Sequence, residues 1–251
     1  MTQSTAVSKP LDRSERTHAG YVAPNRLAAL WQSMIGKKVV MAVTGAVLIL
    51  FVAAHALGNL KIFEGQEPIN AYSRFLREVG MPELGYGQLL WIIRAVLLTS
   101  VALHITAAVQ LTRMNWRARP VGYEKRKDVE AGWGSRTMRW GGLLLLVFVV
   151  FHLLHFTLGA VGFQPGQFED LAVYQNVLAG FSVWPVAVFY IVAMGALCLH
   201  LDHGIWSMFQ TLGCSTAGNT RSLKLFSRIV ALAVFAGFIS VPVAVLAGWV
   251  R

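Results

Sequence analysis

The stretch "KVVMAVTGAVLILFVAAHALGNL", residues 38–60, runs through one bilayer's worth of apolar side chains and carries a single histidine near its far end. A hydrocarbon core about 30 Å thick needs roughly 20 apolar residues in a helix to cross it, and this run is long enough. Similar runs follow at about 88–112, 140–161, 183–206 and 226–250. Lipid offers no partner to an open backbone, so each of these must be helical. The fold class expected is therefore an all-α integral membrane protein with five transmembrane helices, the first four forming a bundle around cofactors. Residues 1–30 form a polar cytoplasmic tail and residues 31–251 the membrane domain. The segments "EPINAYSRFLREV" (67–79) and "FEDLAVYQNVLAG" (168–180) read as short amphipathic helices lying on the membrane surface.

Composition agrees. Of the 251 residues, 55% are hydrophobic and 14% charged, and the mean hydropathy is +0.55, a balance foreign to ordinary soluble domains. The net charge of +10 would fit a nucleic-acid binder, but the basic residues are segregated by loop. Seventeen of the 22 Lys and Arg lie in the tail to Lys38, between the second and third runs, or after the fourth. Only Lys61, Arg74, Arg77 and Arg251 lie on the other side, and Arg94 lies within a run. The positive-inside rule then puts the N-terminus in the cytoplasm and the C-terminus outside. The polar first 36 residues give no sign of a cleavable leader. Cys198 and Cys214 have no partner pattern and read as reduced thiols.

Six of the seven histidines fall in the first four runs. At 1.5 Å per residue, His55 lies roughly 25 Å and His152 roughly 20 Å from the cytoplasmic side, while His104 and His200 lie only about 13 Å from it. This gives one pair in the outer half and one in the inner half, each drawn from alternate helices. Neutral imidazole binds haem iron well, and two axial imidazoles close the iron to other ligands, which suits electron transfer. His155 and His203, one turn beyond His152 and His200, are the alternative ligands. Thr44 with Gly45, and Gly141 with Gly142, are small residues three turns from His55 and His152 and would leave room for the inner macrocycle. Arg94 sits at the level of the outer pair and would meet a haem propionate. Arg136 and Arg139 could do so for the inner haem.

The stretches "SMIGKKVVMAVTGAVLILFVAAHALGNL" (33–60), "MRWGGLLLLVFVVFHLLHFTLG" (138–159) and "LHLDHGIWSMFQTLG" (199–213) resemble the cytochrome b membrane anchor of succinate:quinone oxidoreductase. Within that family they are most similar to the single-chain, five-helix, two-haem type related to fumarate reductase anchors. The resemblance covers roughly residues 30–250. It implies two haem b groups, the outer ligated by His55 and His152 and the inner by His104 and His200. It also implies a bacterial cytoplasmic membrane, and flavoprotein and iron–sulfur partner subunits on the cytoplasmic face that carry FAD and the iron–sulfur clusters. A membrane quinone, with menaquinone the usual partner of this type, would be the electron acceptor. The chain has no dinucleotide motif or cysteine cluster of its own for those partner cofactors.

Quinone reduction consumes protons, so its pocket needs polar groups. The outer candidates are Arg77, Glu78 and Glu83. The resemblance places a catalytic glutamate in this region, where Arg77 stands here. The inner candidates are Ser33 and Lys37, with Trp31 as a stacking surface. The outer side is favoured, because a second haem in the outer half has little purpose if electrons stop at the inner one. Two other readings stay open: a cytochrome b of a membrane hydrogenase or formate dehydrogenase, and a haem-free transporter or proton channel built on membrane histidines.

Overall fold

A computed structural model describes residues 25–118 and 133–251, except the side chains of residues 26–27 and 133–136. Among the described residues every regular element is helical. A short α1 (Arg26–Gln32) leads into α2 (Met34–Asn59), which tightens into a 3-10 turn at Leu60–Glu64. Then come α3 (Gln66–Glu78), α4 (Gln88–Arg117), α5 (Trp133–His152) with a wider π turn at Leu153–Thr157, α6 (Val173–Ser182), α7 (Trp184–Thr211) and α8 (Thr220–Leu246). Helices α2, α4, α5, α7 and α8 are long and apolar enough to cross a membrane.

Local chemistry explains the boundaries. Ser33 caps α2, its Oγ accepting the Gly36 amide at 2.8 Å. Gly36 is needed because α1 ends against it: a Cβ there would stand 1.8 Å from the Leu30 carbonyl oxygen. Pro185 opens the first turn of α7, where its missing amide proton costs nothing. At the other end Gly213, with φ +77°, lets the Cys214 amide reach back to the Phe209 carbonyl and close the helix.

The helices differ from the apolar runs at their ends. Helix α4 continues to Arg117 and α7 to Thr211, and α8 begins at Thr220, six residues before its apolar run. Hydropathy marks the hydrocarbon, whereas a helix continues through the headgroup layer, where Lys and Arg stems snorkel to water. Helix α1 takes up residues the sequence assigns in part to the polar tail, because "RLAALW" has apolar side chains to set against α2. Of the two surface helices, α3 lies within one residue of its expected place. The second starts only at Val173. The Asn176 side chain holds the preceding loop, donating to the Glu169 carbonyl at 2.7 Å and accepting its amide at 3.2 Å, and Leu171 adopts φ +69°.

Close packing runs in the order α4, α2, α7, α5, with α8 against α7 and α2, and α4 and α5 are not among the closely packed pairs. The diagonals, α2 to α5 and α4 to α7, are not among the closely packed pairs. The tightest seam is α7 on α8, where Ala187 and Ala193 pack in one cluster with Ala244, and Ala231 packs with Leu201 and Ile205 further along, the four alanines at most 1% exposed. In lipid there is no hydrophobic drive between helices, so small side chains that admit close backbone contact supply the attraction. At the end of the bundle where α2 and α5 finish, α3 and α6 pack on each other as a lid. Buried Asn70 accepts the Tyr174 amide at 3.1 Å. Arg77 reaches Asp170 at 2.8 Å, and the Tyr174 hydroxyl donates to the Arg251 carbonyl at 2.8 Å.

Asn70→Ala leaves a buried amide unpaired and should cost about 1–3 kcal/mol, seen as a lower melting temperature and faster hydrogen exchange at the start of α6. Arg77→Ala breaks an ion pair whose acid is 76% exposed and should cost less than about 1 kcal/mol in the same assay.

Two histidine pairs form the candidate cofactor site

Each bundle diagonal carries one pair of imidazoles. His55 of α2 faces His152 of α5, their ring centroids 6.0 Å apart and their planes at 74°. His104 of α4 faces His200 of α7 at 6.3 Å and 53°. Metal–imidazole bonds are about 2 Å long, so two imidazoles on opposite sides of one metal ion have centroids roughly 6 Å apart. Direct hydrogen bonding would draw ring nitrogens to about 3 Å and the centroids closer together. Both pairs therefore have the spacing of axial ligands across one ion. Among the described residues no cluster of three or more His, Cys, Asp or Glu is set to hold a metal, so an ion between two imidazoles needs further donors, which a porphyrin brings with it.

The surroundings fit that group. The Thr44 hydroxyl donates to the Val40 carbonyl at 2.7 Å, so its oxygen is left to accept from His104 Nδ1 at 3.2 Å. A neutral imidazole protonated at Nδ1 presents a bare Nε2 lone pair, the form a metal requires. His200 Nδ1 is buried and meets no hydrogen-bond partner, an orphan that water would satisfy in a soluble protein. A cavity of about 320 Å³ opens between α5 and α7, lined by Gly141, Leu144, Ala196 and His200 among others.

Gly141 and Gly142 face open space, with nothing within 4 Å of a would-be Cβ. Gly45 does not: its Cβ position is 3.4 Å from the His104 ring. On α2, then, the small pair abuts an imidazole, and Thr44 bonds it, whereas on α5 the small pair borders empty volume. Arg94 lies 4.8 Å over the Trp91 ring and Arg139 5.8 Å over that of Trp116, and neither has a carboxylate partner among the described residues. The side chain of Arg136 lies outside the described residues.

His155 and His203 meet other rings. His203 lies edge-on to Trp206 at 6.1 Å. His155, on the π turn, is fully buried, stacked near Phe156 at 4.0 Å, and bonded through Nδ1 to the Tyr190 hydroxyl at 3.0 Å. The same hydroxyl lies 3.3 Å from His152 Nδ1. Sequence reasoning missed Tyr190, although a tyrosine at mid-span always raises the question of where its hydroxyl bonds. It also missed a repeated pattern. Phe51 stacks on His55 at 5.3 Å and Phe148 on His152 at 5.8 Å, each phenylalanine four residues before its histidine.

The quinone candidates fall at the two ends. Arg77 is engaged by Asp170 and by Ser73 Oγ at 3.2 Å. Glu78 and Glu83 are exposed nearby, and their carboxylates form no hydrogen bond or ion pair among the described residues. At the inner end Trp31, Ser33 and Lys37 gather at the α1–α2 junction. Buried Lys37 donates to the Trp31 carbonyl and sits 5.3 Å over its ring, while the Ser33 hydroxyl donates to the Leu30 carbonyl at 2.8 Å.

No curated protein and no solved structure matches the chain. Residues 123–240 match the family model described as the succinate dehydrogenase/fumarate reductase transmembrane subunit, a stretch that holds α5 with its histidines, α6, α7 and most of α8. The chain thus has five membrane-length helices and, over residues 123–240, is similar to the transmembrane subunit of succinate dehydrogenase and fumarate reductase.

Proposed function

We propose that this chain anchors the flavoprotein and iron–sulfur subunits of succinate:quinone oxidoreductase to a bacterial cytoplasmic membrane. Its electron-transfer role is to hold two bis-His haem b groups between the iron–sulfur subunit and membrane quinone, most naturally menaquinone. The observation that carries the reading is the spacing of the two imidazole pairs, 6.0 and 6.3 Å between ring centroids, at two levels of one bundle. A haem at each pair would supply a one-electron iron couple. His55 and His152 would hold the outer group, and His104 and His200 the inner. Thr44 fixes the His104 tautomer, and Phe51 and Phe148 keep water from the outer imidazoles. The spacing favours haem over a proton channel, since imidazoles passing a proton directly need nitrogens at hydrogen-bond distance.

The two ends of the bundle divide the remaining work. Arg113, Arg117, Arg139, Arg221, Lys224 and Arg228 gather where α4 and α7 end and α5 and α8 begin. This supports a cytoplasmic inner face to which soluble subunits dock. At the outer end the unpaired carboxylates of Glu78 and Glu83 lie near Arg77 and are able to exchange protons with a quinone. The polar atoms of Ser33 and Lys37 at the inner end are already engaged with backbone carbonyls. That contrast favours an outer quinone site.

Haem stoichiometry of the purified complex tests the ligand set. His152→Ala should lower the count from two b haems to one while His155→Ala keeps two, and His200→Ala against His203→Ala should behave alike. Two haems in the His152→Ala complex would refute the assignment. Orientation is testable separately. A membrane-impermeant maleimide should label an Arg251→Cys variant from the outside of intact cells, and should reach the exposed Cys214 of the α7–α8 turn only in inverted vesicles. Labelling of Cys214 from outside would reverse the topology.

A further inference from the structure

One tyrosine hydroxyl serves two histidines in the outer half of the bundle. Tyr190 Oη lies 3.3 Å from His152 Nδ1 and 3.0 Å from His155 Nδ1. Tyr190 is 6% exposed and His155 0%, so no solvent competes for these bonds. Residues three apart on a helix lie on the same face, so both rings can turn toward one atom. The phenyl rings of Phe148, Phe156 and Phe181 hold the phenol edge-on at 5.0, 5.7 and 5.0 Å. On the far side of His155 nothing is available: its Nε2 has no hydrogen-bond partner, and a Cβ on Gly162 or Gly180 would stand 2.8 or 2.9 Å from it.

A phenol has one proton to give and an oxygen that accepts, so at most one of the two bonds uses the phenol hydrogen. The arrangement that leaves this hydrogen paired has one imidazole donating to the oxygen and the other accepting its hydrogen. With His152 Nε2 committed to iron, its proton must be on Nδ1. His152 Nδ1–H then donates to Tyr190 Oη, Tyr190 O–H donates to His155 Nδ1, and His155 carries its own proton on the enclosed Nε2. We infer that Tyr190, with His155 behind it, is a positioning and tuning partner of the outer haem ligand, directing the His152 lone pair at the iron and making it a stronger donor. This rests on the haem reading above. Giving up part of the Nδ1 proton pushes electron density to Nε2, favours ferric over ferrous iron and lowers the potential of that haem. The hydrogen passed on to His155 makes the phenol oxygen a better acceptor. The arrangement also gives a reason for a second histidine beside the first that is not itself a ligand. At the inner pair the Thr44 hydroxyl accepts from His104 with a backbone carbonyl rather than a histidine behind it, and His200 Nδ1 has no partner.

The test is a spectropotentiometric titration of the purified complex, the outer haem being the one lost in His152→Ala. Tyr190→Phe should keep two b haems, raise the midpoint potential of the outer one and leave the inner one unchanged. His155→Leu should keep both and shift the outer midpoint in the same direction by less. Unmoved midpoints in Tyr190→Phe, or loss of the outer haem in His155→Leu, would overturn the inference. If Tyr190→Phe does not assemble, His155→Leu decides alone by the same titration, a shift supporting the chain of bonds and no shift refuting it. A wild-type complex with fewer than two b haems would instead refute the haem reading, independently of either variant.

Discussion

A nitrogen lone pair at bilayer depth has no water to fall back on. That constraint orders the rest of this molecule. Four imidazoles lie in two facing pairs, too far apart for a direct hydrogen bond and spaced as two ligands of one ion. The helices that carry them stand back across the bundle diagonals while packing closely as α4 on α2, α2 on α7 and α7 on α5. A bundle held only by side-chain interdigitation would close those diagonals, and here large groups are kept out by Thr44, Gly45, Gly141 and Gly142 instead.

What the bundle diagonals lack in direct packing is supplied elsewhere. The α7–α8 seam is built from alanines that bring two backbones together, and α8 carries no histidine. Its task is to brace α7, which carries His200 and Tyr190. The lid of α3 and α6 ties the outer loops together through Asn70, Arg77 and Tyr174. Stability is thus concentrated at one flank and one end, leaving the bundle centre shaped for something that is not protein.

Much of this was legible in the sequence because the bilayer simplifies the problem. Hydropathy and length alone locate five helices, and a fixed rise per residue converts sequence offsets into depth, which set His55 level with His152 and His104 level with His200. What depth counting does not carry is azimuth. It could not tell His152 from His155, because one turn changes the level by little and residues three apart share a helix face; only packing sets His152 against His55 and His155 against Phe156 and Phe163. Tyr190 was missed for the same reason: its role arises from a contact with residues 35 and 38 positions away. Thr44 and Gly45 were noticed for their size, and only the three-dimensional arrangement reveals that the threonine hydroxyl holds a ring. The second lid helix began late because Asn176 pins the loop before it, a tertiary bond that amphipathic periodicity does not register.

The pairing also constrains how such a chain is made. Helices α2 and α4 emerge from the ribosome first, then α5 and α7, and each facing pair takes one imidazole from the early hairpin and one from the late one. The early hairpin therefore contains two unmatched half-sites and no complete one. Any bridging group can be clasped only once the late hairpin has inserted, so cofactor capture reports that both halves have been threaded into the membrane.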